Sequence, residues 1–207
     1  YMIIHTCHEM YQSNDGLNHQ SNATIQLDID EMKITDSRTE AINSSYGYVS
    51  HSFNQFVKIE DGHIVTLDHG DAYPRSLVIL KYKTDINDGT FTPSRGSLCT
   101  DIPVLKFKGS TGDNITGASV GGFELSDDHY LTAANTVTQD DNFSSYSTRN
   151  VFVAAVDKST SEVKINYLTN YAEGEETTTT PQLVKISGNR FMVLWTRGDQ
   201  VYYALVD

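Results

Sequence analysis

The sequence predicts an all-β chain built from repeated antiparallel meanders, and three observations carry that expectation. Helical periodicity is nearly missing: short β-branched and aromatic runs alternate with Gly, Asn, Asp, Ser and Thr, the pattern of many short strands. One motif then recurs. QFVKIEDGHIVTLD begins at Gln55, GFELSDDHYLTAAN at Gly122 and QLVKISGNRFMVLW at Gln182, each an apolar strand, a polar turn and a second apolar strand. The turns, Glu-Asp-Gly, Ser-Asp-Asp and Ser-Gly-Asn, carry hairpin chemistry.

The elements follow in chain order. YMIIHTC, NATIQLDID and EMKIT fit the second, third and fourth strands of a first repeat. A third strand follows each later pair, as SLVILKY from Ser76, NVFVAAVD from Asn150 and QVYYALVD from Gln200. A fourth is clear once more, as EVKINYL from Glu162 after the turn DKSTS. Equivalent positions lie 61, 66 and 61 residues apart (His8 to His69, Glu60 to Ser126, Ser126 to Ser187). A lone meander cannot bury both faces, so such units stack. Radial stacking gives a β-propeller; the alternative is a two-sheet sandwich, which the regular spacing disfavours. The blades fall at about 1–47, 48–114, 115–176 and 177–207 in a single region, the first lacking its inner strand and the last its outer strand. The expectation is a partial propeller, about three and a half four-stranded blades of a larger ring. Six to eight blades of ~60 residues would close it. Flanking sequence, a cleaved fragment or a second subunit would supply the remainder.

The residues YVSHSFNQFV, LDHGDAYPRS and TPQLVKIS…FMVLW resemble repeat units of large secreted or surface-exposed bacterial proteins of the β-propeller type. The resemblance covers most of 48–88 and 177–207. Those repeats have no assigned activity, so it implies fold and location and carries over no catalytic residue.

Composition narrows the function. With 15 basic against 27 acidic side chains the net charge is −12, which argues against nucleic acid, since phosphate contacts need clustered Lys and Arg. It suits cations or neutral sugars, and solubility alone. No run approaches the ~18 apolar residues of a membrane span, and no signal peptide is visible in a chain that opens inside a strand. Two cysteines, Cys7 and Cys99, exclude a disulfide framework and leave one bridge undecided. Four N-x-S/T sequons, at Asn22, Asn43, Asn114 and Asn142, point to an extracellular or cell-surface location.

One rim gathers the candidate site. SHSFN leads into the first strand of the second blade, and DHGDAYPR joins that blade's second and third strands. HEMYQSNDGLNHQS joins the same two strands one blade earlier. In a meander these connections share a rim. DHGDAYPR brings Asp68, His69, Asp71, Tyr73 and Arg75; SHSFN brings His51 and Asn54; the earlier loop brings His8, Asp15, Asn18, His19 and Gln20.

Four kinds of chemistry fit such a cluster. A structural network would bond His51 and Ser52 to Asp68 and His69, with Asp71 capping the turn before Pro74 and Arg75 bridging an Asp bidentately. A glycan or protein site would use Arg75 as a clamp, Asp68 and Asp71 as acceptors and Tyr73 as a stacking face, with Tyr11 and Phe53 as further aromatics. A metal site has weaker support. In HTCH, strand alternation separates His8 from His5 and Cys7, and no CxxC or HExxH spacing accompanies them. Calcium is the cation the oxygen-rich Asn14, Asp15 and Gly16, or TQDDN at 138–142, would take, though neither has EF-hand spacing; no other cofactor is expected. Catalysis would require paired carboxylates as in glycoside hydrolysis, from Asp68, Asp71 and Asp15. No nucleophile elbow or phosphate loop occurs.

The favoured expectation is a non-enzymatic recognition or adhesion module that binds glycan or protein at this rim. A glycan-processing enzyme and an architectural assembly unit are the alternatives. Trp195, late in a strand of the repeat, is expected in the core.

Overall fold

The computed structural model describes residues 2–12, 18–36, 50–72, 75–85, 99–138, 143–144 and 146–207. Among them there is strand and turn but no helix, so none is long and apolar enough to cross a membrane. The strands are β1 (Met2–Gln12), β2 (Asn18–Asp28), β3 (Lys33–Asp36), β4 (Ser50–Glu60), β5 (His63–Ala72), β6 (Arg75–Asp85) and β7 (Cys99–Lys106). They continue with β8 (Ala118–Leu125), β9 (His129–Thr136), β10 (Asn150–Asp157), β11 (Val163–Tyr167), β12 (Gln182–Ser187), β13 (Arg190–Arg197) and β14 (Gln200–Val206).

The strands form four meander sheets, β1-β2-β3, β4-β5-β6-β7, β8-β9-β10-β11 and β12-β13-β14. No sheet closes on itself. The all-β expectation therefore holds, with a sheet in each repeat. Sequence reasoning missed β7. Its run, CTDIPVLK, carries Pro103 in its interior, which from sequence argues against a strand and is tolerated here because β7 is an edge strand of its sheet. Chain contacts divide the molecule into two compact units, Tyr1–Pro103 and Val104–Asp207.

The hairpin turns carry the register. Between β4 and β5, Asp61 and Gly62 both have positive φ (48° and 81°), as a type I′ turn requires. Between β12 and β13, and between β13 and β14, a glycine (Gly188 and Gly198) takes positive φ at the first central position, where a two-residue II′ turn needs it. Ser126 closes the β8–β9 turn, its hydroxyl accepting from His129 N at 2.9 Å. After β10, the Asp157 carboxylate accepts from Ser159 N, Ser159 Oγ and Thr160 N at 2.6–2.8 Å. Those bonds hold its pKa well below the usual carboxylate range.

In the second unit the β8–β11 sheet packs on the β12–β14 sheet. Leu131 and Ala133 of β9 and Val151 and Val153 of β10 meet Leu183 of β12 and Phe191, Val193 and Trp195 of β13, all buried. Trp195 is thus core, stacked on its cross-strand partner Tyr202 with ring centroids 5.9 Å apart. β8 and β12 come together at Gly121 and Gly122. A Cβ on Gly121 would sit 1.4 Å from the Pro181 carbonyl oxygen, and one on Gly122 would sit 2.6 Å from Leu183 Cβ. The strand bulges between Val120 and Gly122, where glycine lets another backbone approach closely.

Candidate functional site

The segments SHSFN and DHGDAYPR meet as neighbouring strand ends. Ser50 pairs with Ala72, Ser52 with Gly70, Asn54 with His69 and Gln55 with Asp68. This corrects the loop reading: DHGDAYPR is strand up to Ala72 and again from Arg75. Residues 64–71 of β5 are all buried. A strand covered on both faces loses the apolar–polar alternation, so its polar residues imitate a turn in the sequence. The earlier loop shrinks likewise, since His8 lies in β1 and Asn18 and His19 lie in β2.

Alternation and register sort the cluster. His69 and Asp71 point to one face of β5, and Asp68 and Gly70 to the other. Arg75 is the cross-strand partner of Asp71, and Asn54 that of His69. One face therefore carries Asn54, His69, Asp71 and Arg75. His69 Nδ1 lies 3.2 Å from Asn54 Oδ1, so the ring donates there when Nδ1 holds the proton. Asp68, His69 and Asp71 are buried, whereas Arg75 is half-buried. Asp68 and Asp71, three apart in a regular stretch of strand, lie on opposite faces and make no carboxylate pair across one site.

Sequence reasoning named Phe53 only in passing. A β-bulge between Ser52 and Asn54 inserts it as an extra residue. It is 42% exposed, and its ring stands 5.1 Å from that of His69, tilted 50°. No glycine or proline marks this bulge, so the sequence carries no signal for it.

The other candidates are placed less fully. Tyr73 and Asp15 lie outside the described residues, and so do Asn14, Gly16 and 139–142, the proposed calcium ligands. His8, Asn18, His19 and His51 are placed by backbone alone, their side chains outside the described ones. β2, which carries Asn18 and His19, approaches β4, which carries His51 and Asn54. Among the described residues no three His, Cys, Asp or Glu side chains gather as a metal site would need.

Comparison with protein-family models, with curated proteins and with solved structures finds no match.

The geometry alone therefore carries the argument, and it includes a second polar cluster. Asn135, buried in β9, donates to Thr178 O, Thr178 Oγ1 and Thr179 O at 3.2, 3.1 and 2.9 Å, and accepts from Ser119 N at 3.1 Å. Arg149 donates to Ser119 Oγ beside it, and burial lowers its pKa. A cleft of about 640 Å³ opens nearby, lined by Thr136, Asn150, Tyr167 and Thr169 among others. Thr136, Asn150 and Thr169 are engaged internally. Asn150 Oδ1 accepts from Thr169 Oγ1 and Tyr171 N, and Thr136 Oγ1 donates to Val137 O. Tyr167 adds a half-exposed ring to the lining. Of the four sequons, only Asn114 is among the described side chains. It is exposed, in a turn, with φ 61°.

Proposed function

We propose that the chain belongs to a β-propeller acting as a non-enzymatic recognition or adhesion module, secreted or at the cell surface, that binds a glycan or a protein at one rim. Four meander sheets in repeat order support the propeller, as does the sheet-on-sheet packing of β8–β11 against β12–β14. The rest of the ring is its first partner. The observation that carries the site is Phe53, turned outward by a bulge over buried His69, with Asp71 and Arg75 on the same face.

The roles divide by exposure. Phe53 supplies the stacking face and Arg75 the charged clamp, and His51 and Tyr73, from the same two segments, would add to them. Asn54, Asp68, His69 and Asp71 hold that surface in shape. His8, Asp15, Asn18 and His19 would extend the rim from the neighbouring hairpin. A second reading, in which the propeller is an architectural unit, is favoured by the burial of Asp68, His69 and Asp71, since buried polar groups often serve only to satisfy one another.

A glycan array with the recombinant chain, followed by titration of the best hit, tests the proposal. Phe53→Ala and Arg75→Ala should each weaken binding about tenfold or more, and Met32→Ala, at an exposed turn residue, should not. A chain that binds no glycan and no surface protein, or binds as well without Phe53 and Arg75, leaves the architectural reading standing.

A further inference from the structure

The β12–β14 sheet is apolar on both faces, and among the described residues only one face is covered. Phe191, Val193 and Trp195 of β13 are buried against the β8–β11 sheet. The other face carries Met192 and Leu194 of β13, Val184 and Ile186 of β12, and Val201, Tyr203 and Leu205 of β14. Val201, Tyr203 and Leu205 are 70%, 68% and 58% exposed. Alternation puts them in line, and register sets Leu205 beside Met192 and Tyr203 beside Leu194. A contiguous apolar face of this kind marks a docking site.

The chain itself shows what covers such a face. Counting from the first residue after each two-residue turn, Met192 and Leu194 stand where Leu131 and Ala133 stand in β9. Cross-strand register then matches Val201, Tyr203 and Leu205 to Val151, Val153 and Ala155 of β10. In the β8–β11 sheet, Leu131, Ala133, Val151 and Val153 are the residues against which the next sheet packs. The exposed face is thus the same face of the repeat, one sheet further on.

We propose that this face docks a further antiparallel sheet of the same repeat. That sheet would present a Leu on its first strand and a Phe, Val and Trp on its second, as β12 and β13 do. The side chains here are larger than their counterparts, Tyr203 for Val153 and Leu205 for Ala155. Pro181 and Gln182 stand where the closely packed Gly121 and Gly122 stand in β8. The incoming sheet therefore leans on β13 and β14 and stands further off at β12. The proposal rests on the propeller part of the reading above and is independent of rim binding.

The test extends the full chain after Asp207 with a second copy of residues 168–207, and replaces the original Trp195 by Phe. The sole tryptophan then lies in the added sheet. Docking should shift its emission to that of a buried indole and slow amide exchange over 201–205 about tenfold or more. Tyr203→Lys with Leu205→Lys in the original sheet should abolish both effects. The same lysines in the unextended chain should leave its circular dichroism and thermal midpoint unchanged, since both sites are exposed. A tryptophan emitting as in water, or docking indifferent to the lysines, overturns the proposal. So does an unextended chain that dimerises until the lysines are introduced, which would assign the face to a second copy. Glycan binding by the unextended chain plays no part in these outcomes, so either proposal can fail alone.

Discussion

Replacing Gly121 by alanine adds one methyl group and should force two sheets apart. The new Cβ would lie 1.4 Å from the Pro181 carbonyl oxygen and 2.6 Å from its carbon, where ordinary contact begins near 3.4 Å. The obstacle is backbone, so no rotamer relieves it, and β12 must retreat by about 2 Å (3.4 − 1.4). The retreat opens the layer between Leu131, Ala133, Val151 and Val153 on one side and Leu183, Phe191, Val193 and Trp195 on the other. A gap of even 0.5–1 Å forfeits roughly a quarter to a half of each dispersion contact. Overpacking costs about 1–3 kcal/mol, and the upper end, ~3 kcal/mol, is expected. Urea unfolding followed by Trp195 fluorescence measures this, because the only tryptophan sits in that layer. With a slope of about 2 kcal/mol per molar, the midpoint should fall by ~1.5 M. Gly174→Ala is the comparison: its Cβ would meet nothing within 4 Å, and φ is +86°, so only backbone strain of about 1 kcal/mol is added. A Gly121→Ala midpoint no lower than that of Gly174→Ala would show that the two sheets are not held at this distance.

Three further outcomes follow from single side chains. Asn135→Ala strips the buried Thr178 carbonyl, and with it the Thr179 carbonyl and the Ser119 N–H, of a partner, at about 1–3 kcal/mol. Limited proteolysis should then cut within 172–180, and an unchanged digestion pattern would contradict the role of Asn135 in holding Thr178 and Thr179. The folded pKa of Asp157 is depressed by its turn bonds. Its stabilisation is therefore complete above the ordinary carboxylate pKa of about 3.9 and is lost as pH falls towards the folded value. The stability gap between parent and Asp157→Ala should narrow progressively below that pH, and a gap that stays constant into acid would refute the assignment. Asn114, exposed in a left-handed turn, should gain a glycan when the chain passes through a eukaryotic secretory route. Intact-mass spectrometry of the parent and Asn114→Gln reads this directly, and identical polypeptide masses after allowing for the substitution would count against the accessible turn.

Much of the fold was legible because strand period and turn chemistry are local. Glu-Asp-Gly and Ser-Gly-Asn announced hairpins, and the 61-residue spacing matched β13 to β9 as equivalent strands of the repeat. Burial was not local. DHGD reads as the start of a turn because its polar residues crowd together, yet it belongs to the interior of β5, covered on both faces. The Phe53 bulge shifts register by one residue with nothing in SHSFNQF to mark it. Gly121 and Gly122 read as weak strand residues until the approach of Pro181 and Leu183 explains them.

The repeat frame also bears on what the buried polar residues of β5 do. Six residues beyond the first residue after the hairpin turn lie His69 in β5, Asn135 in β9 and Thr196 in β13. Asn135 holds Thr178 and Thr179. Thr196 holds Thr179 as well, its N–H and hydroxyl both 3.0 Å from Thr179 Oγ1 and its carbonyl accepting from Thr179 N. Two of the three equivalents thus pin the chain segment that enters the last sheet, and His69 bonds Asn54 in the strand that enters its own sheet. The position is a latch first, chosen because a rim connection must satisfy its backbone polar groups somewhere. What sets the β4–β7 sheet apart is therefore not the buried His69 but what is laid over it. Only there, among the described residues, does a bulge place an outward aromatic ring on the latch, with Arg75 at the adjoining strand end. A ligand would find that surface at Phe53 and Arg75, and the carboxylates beneath would matter to it through the shape they keep.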